Sequence, residues 1–226
     1  MPPGYPIVLD LAGRPVVVVG AGPVASRKVT GLLASGAAIT IVAPEALPGL
    51  AALAEAGRAT LHRRPYQTRD LDGAALAFAA APPEVNRQVA TDAAAAGVLV
   101  SVASKVDGQA GTSAADGRAA TFSTPATLRR GGLLLAVATG GAAPGLAGAL
   151  RRRLGASFGP EWSGVVELLG RHRERLPPPA DGEAWEALLD GSLQALLLAG
   201  DLAGAERLLD RMLGLLAEAR DTPDGG

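Results

Sequence analysis

The run Pro15-Val16-Val17-Val18-Val19 passes directly into Gly20-Ala21-Gly22-Pro23-Val24-Ala25, and that junction restricts the fold more than any other stretch. Four β-branched residues without polar alternation suit a strand buried on both faces, as in the interior of a parallel sheet. The following residues have the G-x-G-x-x-G/A form of a strand-to-helix turn. Gly20 permits the tight turn, Gly22 lets a ligand approach the backbone without meeting a Cβ, and Ala25 lets the helix lie close to the strand. Pro23 fits the first helical position, where its missing N–H costs little. The helix then offers free N–H groups and the positive end of its dipole, which together suit a diphosphate. Periodicity predicts this helix over 23–35, with Ala25, Val29, Leu32 and Leu33 on one face and Gly36 as its stop.

The alternation continues. Ile39–Val42 reads as a second strand, 50–56 as a short helix, 59–62 and 74–80 as strands, 85–96 as a helix and 98–102 as a strand. Strands separated by helices of these lengths imply a parallel sheet with right-handed crossovers. Residues 104–121 break the pattern: Gly108, Gly111, Gly117 and small polar residues predict a long loop, either disordered or a lid. Leu133–Val137 resumes as a strand, Thr139-Gly140-Gly141 turns the chain, and a helix follows from Pro144 to Leu154. Trp162, Val165, Val166, Leu169 and Leu176 keep helical spacing, and Pro177-Pro178-Pro179 marks a linker. Asp201 is placed to cap a final helix to Ala219, with Leu202, Ala205, Leu209, Met212, Leu213 and Leu216 along one face.

Composition removes several classes of function. With 21 basic and 22 acidic residues, the formal charge of -1 leaves no basic excess for general nucleic-acid binding. The absence of cysteine excludes disulfides, thiolate metal sites and thiol nucleophiles, and two histidines, His62 and His172, cannot build an imidazole-rich metal centre. No metal ligands are therefore assigned, and both histidines read as structural or surface groups. No apolar run approaches the ~18 residues of a membrane span, and the start lacks the pattern of a signal peptide. The expectation is a cytoplasmic protein without membrane or nucleic-acid partners.

After the second strand the ribose-binding acid of a dinucleotide site is displaced, since Val42-Ala43-Pro44 precede Glu45. NAD is preferred to NADP because no arginine follows that strand immediately.

Leu9-Asp10-Leu11-Ala12-Gly13-Arg14-Pro15 leading into Gly20–Lys28 resembles the opening of the precorrin-2 dehydrogenase family, the dehydrogenase/ferrochelatase proteins or domains of siroheme synthesis. Val42-Ala43-Pro44-Glu45, Val85-Asn86, Leu128-Arg129-Arg130-Gly131 and Ala138-Thr139-Gly140-Gly141-Ala142-Ala143-Pro144 extend the resemblance over about residues 5–176. The Thr-Gly-Gly-x-x-Pro turn after Arg-Arg-Gly is its most specific part. The resemblance implies an α/β fold in three parts: a Rossmann-like NAD-binding domain over 1–120, a dimerisation segment over 121–150 and a helical C-terminal domain over 151–226. It implies a homodimer with a tetrapyrrole-binding cleft, in which NAD takes a hydride from precorrin-2 to give sirohydrochlorin. By position, Gly20, Gly22, Pro23 and Val24 correspond to the pyrophosphate turn, and Pro44 and Glu45 to adenosine-side contacts.

The chain also departs from the family. Where the family carries an aspartate after the strand at 98–102, implicated in dehydrogenation and chelation, this chain has Ser104. Ser104 and Asp107 are accordingly the catalytic candidates, Asp107 as a replacement carboxylate, with Asp116 a second choice. A loop acid is otherwise simply solvated. Ferrochelatase activity is not expected. A polycarboxylate substrate calls for guanidinium groups, so Arg129 and Arg130 join Thr139, Gly140 and Gly141 as candidate substrate contacts. Arg151, Arg152 and Arg153 read equally well as a solvated helix end. Trp162 and Trp185 read as core residues.

Overall fold

The computed structural model describes residues 4–106, 109–112, 120–177 and 182–221. Two compact units emerge, Met1–Pro125 with Ala138–Pro144, and Ala126–Val137 with Gly145–Gly226.

The first unit is built on β1 (Pro15–Val19), α1 (Pro23–Leu33), β2 (Ala38–Val42), α2 (Pro48–Glu55), β3 (Thr60–His62), β4 (Leu76–Ala79), α3 (Pro83–Ala96), β5 (Leu99–Val106) and β6 (Gln109–Thr112), with a 3-10 turn at Thr68–Leu71. The sheet order is β3-β2-β1-β4-β5-β6. The first five strands run parallel, with Val16 opposite Ile39 of β2 and Leu76 of β4. The fold is the expected Rossmann-like α/β sheet. Strand order reverses between β1 and β4, and open α/β sheets bind ligands at such a switch point, beyond the carboxyl ends of the strands.

The valine run is buried on both faces, no residue from Val16 to Val19 being more than 5% exposed. Val16 and Val18 pack with Ala25, Val29 and Leu32 of α1 and with Ile41, Leu50 and Phe78. Val17 and Val19 pack on the other side with Ala77, Ala79, Val89, Ala93 and Val100. Each such burial contributes about 1.5–3 kcal/mol, which makes β1 the mechanical centre of the unit.

One sequence expectation is corrected. The predicted loop from 104 onward begins as sheet: β5 continues to Val106 and pairs antiparallel with β6, Ser104 opposite Gly111. Polar and small side chains hid this hairpin, because a ladder on one edge needs backbone groups, not an apolar pattern.

The second unit contains an antiparallel hairpin, β7 (Ala126–Arg130) with β8 (Leu133–Val137), and the helices α4 (Pro144–Ser157), α5 (Trp162–Arg171), α6 (Gly182–Leu188), α7 (Ser192–Leu198) and α8 (Leu202–Asp221). Its core gathers Leu168, Leu188, Leu193, Ala205, Leu209 and Leu213, with Trp185 packed at the margin. Trp162 packs against Phe158, ring centroids 5.0 Å apart. Asp201 caps α8 as expected, its Oδ1 accepting the Gly204 N–H at 2.8 Å. Polar links join α8 to the end of α5: Arg171 to Glu206 (2.6 Å), His172 Nε2 to Glu206 (2.8 Å) and Arg175 to Asp210 (2.6 Å). His172 thus serves structure; His62, at the end of β3, is exposed.

Candidate functional site

The glycine turn stands at the carboxyl edge of the sheet, beside the switch point. Gly20 has φ +103, and its N–H donates to Val42 O at 2.9 Å. A Cβ at Gly20 would collide with the Ala80 carbonyl, so only glycine allows β1 and β4 to end in contact. Gly22 differs. It caps α1 in an extended conformation (φ -86), and a Cβ there would meet no atom within 4 Å. The protein itself places no demand for glycine at that point; a ligand laid against the backbone would.

Pro23 has no N–H, and the Ser26 N–H is taken by Gly22 O at 2.9 Å. The amides of Val24 and Ala25 thus lack intrahelical acceptors. The first turn of α1 contains no acidic residue. This set of open amides, positive dipole end and uncrowded backbone fits a diphosphate. Pro44 and Glu45 leave the end of β2 exposed. Their loop is drawn back to the turn by the Leu47 N–H, which donates to Ala21 O at 3.1 Å. Gly20, Gly22, Pro23, Val24, Pro44 and Glu45 therefore assemble along one edge.

Asn86 is a positioning residue that sequence reasoning quoted only as part of a string. It is 5% exposed; its Oδ1 accepts the Ala81 N–H at 2.9 Å and its Nδ2 donates to Ala103 O at 3.2 Å. One amide thus links the chain just beyond β4 to the middle of β5, immediately before Ser104. Ser104 itself lies in β5; Asp107 and Asp116 fall outside the described residues.

Lys28, on α1, is likewise more than part of a motif. Its Nζ donates to Thr124 Oγ1 at 2.5 Å and stands 5.8 Å from the centroid of the Phe78 ring. Phe78 meets Phe122 edge-on, centroids 5.3 Å apart. Burial, and then repulsion from Arg27, lowers the lysine pKa from its ordinary value.

Thr139 is held within its own turn: its Oγ1 accepts the Ala143 N–H at 3.3 Å and its carbonyl the Ala142 N–H at 3.0 Å. Gly140 and Gly141 take left-handed φ values there, +61 and +85. This turn groups with the first unit, whereas Arg129 and Arg130 belong to the second. Arg129 is exposed. Arg130 is engaged, its Nε donating to Phe158 O at 3.0 Å. A hollow of about 610 Å³, lined by Arg14, Leu71, Ala74 and Val98 among others, lies at the opposite edge, where the strands begin. That is the wrong end of the sheet for a ligand of this fold.

Residues 7–110 match the family described as "Putative NAD(P)-binding". Siroheme synthase of Chromobacterium violaceum is 37% identical over 215 residues, which are 92% of this chain and 43% of that protein. The siroheme synthase of Pseudoalteromonas atlantica is 33% identical over 221 residues, 93% of this chain and 45% of that protein. The chain is similar to siroheme synthases over more than nine-tenths of its own length. It spans less than half the length of these curated relatives. SirC, a precorrin-2 dehydrogenase of known structure, shares its fold with a TM-score of 0.65 at 24% identity, over 92% of this chain and 100% of that one. Among the described residues, no helix is long and apolar enough to cross a membrane.

Proposed function

We propose that this chain catalyses the NAD-dependent dehydrogenation of precorrin-2 to sirohydrochlorin in siroheme synthesis. The observation that carries this reading is the glycine turn: two open amides and an uncrowded Gly22 at the switch point of a parallel sheet, in a chain 37% identical to a siroheme synthase. Held at the turn formed by Gly20, Gly22, Pro23 and Val24, NAD would supply the hydride acceptor for oxidation of the reduced tetrapyrrole, and the proton lost with the hydride would pass to a base or to solvent. The turn holds the diphosphate, and Pro44 and Glu45 border the adenosine. Asn86 fixes β5 at Ala103; Ser104, next in the chain, and Asp107 are the candidate catalytic groups. Thr139, Gly140, Gly141, Arg129 and Arg130 are assigned to the substrate. We assign no metal insertion, because a serine cannot take the place of a carboxylate that must accept pyrrole protons. The setting is the cytoplasm.

The chain is proposed to act as a homodimer through 121–150, between the Rossmann-like part at 1–120 and the helical part at 151–226. In support, among the described residues β7 and β8 pair only with each other, and a lone hairpin is marginal in water. Leu146 and Leu150, one helical turn apart on α4, are 53% and 39% exposed.

An anaerobic assay with precorrin-2 tests the reading. NADH absorbance should rise with NAD and sirohydrochlorin should form; no turnover with either nicotinamide coenzyme would overturn it. Ser104 motivates a second reading, a silent NAD- or tetrapyrrole-binding protein. Tight tetrapyrrole binding without turnover would select that one.

A further inference from the structure

Among the described residues, Lys28 is a cation without a counter-ion. Its ammonium has three N–H donors; one goes to Thr124, and the Phe78 face supplies only a diffuse attraction. Among the described residues, no carboxylate pairs with it. A half-buried charge in that condition is costly unless something anionic completes it. The depression of its pKa by burial agrees with this.

Its position gives the missing anion an address. Phe78 is two residues before Ala80, whose carbonyl meets the glycine turn, so the cation lies just below the edge where the nucleotide would rest. Ser101 is the register partner of Phe78 on β5 and therefore faces the same side of the sheet. Ser101 is 1% exposed, and its Oγ has no hydrogen-bond partner among the described residues. A cation with an open donor and a buried hydroxyl without a partner thus lie on one face, next to the Phe78–Phe122 ring pair.

We infer that the Lys28 ammonium, presented between Thr124 and Phe78, is a carboxylate-binding group for the ligand that lies beside the coenzyme. The inference rests on the reading above, in which that ligand is a polycarboxylate tetrapyrrole. A carboxylate is favoured over a coenzyme phosphate because the diphosphate already has the Val24 and Ala25 amides.

The test uses the full chain, a porphyrin octacarboxylate as probe, its octamethyl ester as control, and NAD titrated separately. Lys28→Gln removes the charge while keeping a donor for Thr124; Thr124→Val removes the tether while keeping the charge. Thermal melts establish that each variant is folded, and Lys28→Met serves if the glutamine variant is not. Lys28→Gln should weaken the octacarboxylate at least tenfold and flatten its salt dependence, with NAD affinity changed less than twofold. Thr124→Val, which keeps the charge but loosens it, should weaken the probe clearly less than Lys28→Gln, and the ester should not respond to either change. Three results would overturn the inference: unchanged binding of the probe by the glutamine variant, equal losses in the Lys28 and Thr124 variants, or an equal loss for NAD. If the unaltered chain binds neither NAD nor the probe, the functional reading falls and takes this inference with it. If it binds both and the glutamine variant is indifferent, the inference alone falls.

Discussion

The backbone of Gly20 lies against the carbonyl of Ala80, so that β1 and β4 end in direct contact with no side chain between them. A Cβ on Gly20 would stand 2.9 Å from Ala81 N and closer still to that carbonyl, at a φ of +103 that other residues resist. Two residues later, Gly22 has open space and an ordinary φ. The two glycines of one motif therefore answer to different constraints, the first internal and the second external.

Substitution separates them. Gly20→Ala should destabilise the first unit by about 2 kcal/mol or more, through strain and overpacking, seen as a lower midpoint in urea. Gly22→Ala should cost no more than about 1 kcal/mol, the difference between glycine and alanine at an N-cap, yet weaken NAD at least tenfold by calorimetry. Equal effects of the two changes on stability would refute the distinction.

Asn86 offers a second comparison. Asn86→Leu strands the Ala81 N–H and the Ala103 carbonyl in a buried setting, and each orphaned group costs about 1–3 kcal/mol. Asn86→Asp keeps the acceptor for Ala81 but sets a carboxylate oxygen against the Ala103 carbonyl and buries a charge, so at neutral pH it should be no more stable than the leucine variant. Denaturant titration of the three proteins gives the order directly.

Acid should expose the Arg64–Asp70 pair. Arg64 donates twice to Asp70, at 2.5 and 2.9 Å, and the Gln67 N–H adds a third bond at 2.9 Å. The Arg64 hydrogen bonds hold the carboxyl below its ordinary value, against opposition from burial. A carboxyl with a lowered folded pKa contributes stability above its unfolded value, about 3.9. That contribution is lost as pH falls through the folded value. Asp70→Asn should therefore lower stability at neutral pH and flatten its pH dependence below roughly pH 4. Melting curves collected from neutral to strongly acidic pH would coincide if the pair contributed nothing, and would keep a parallel offset if its contribution did not titrate.

Leu146→Asp with Leu150→Asp should convert a dimer to a monomer in sedimentation while leaving the melting midpoint of the first unit unchanged. A single unaltered species in both proteins would count against association through α4.

The sequence made β1, α1 and the switch-point turn readable because burial on both faces leaves an unbroken apolar run, and a tight turn demands glycine. It concealed β6 because Gln109-Ala110-Gly111-Thr112 carries no apolar alternation. The role of Asn86 was out of reach for another reason: its acceptor at Ala103 lies 17 residues away, and only the parallel pairing of β4 with β5 brings them together. Lys28 falls between these cases. Its helical position is plain from spacing, but its partner Thr124 lies 96 residues on.

The division of the chain also limits how it can be taken apart. It leaves the first unit after Pro125, returns for Ala138–Pro144, and departs again. Severing the chain at any one of these crossings would strand pieces of both units on the same fragment. A chimera that borrows only the nucleotide-binding part from a related protein must therefore graft two non-adjacent stretches, and a simple terminal fusion at 125 would omit the Thr139–Gly141 turn altogether.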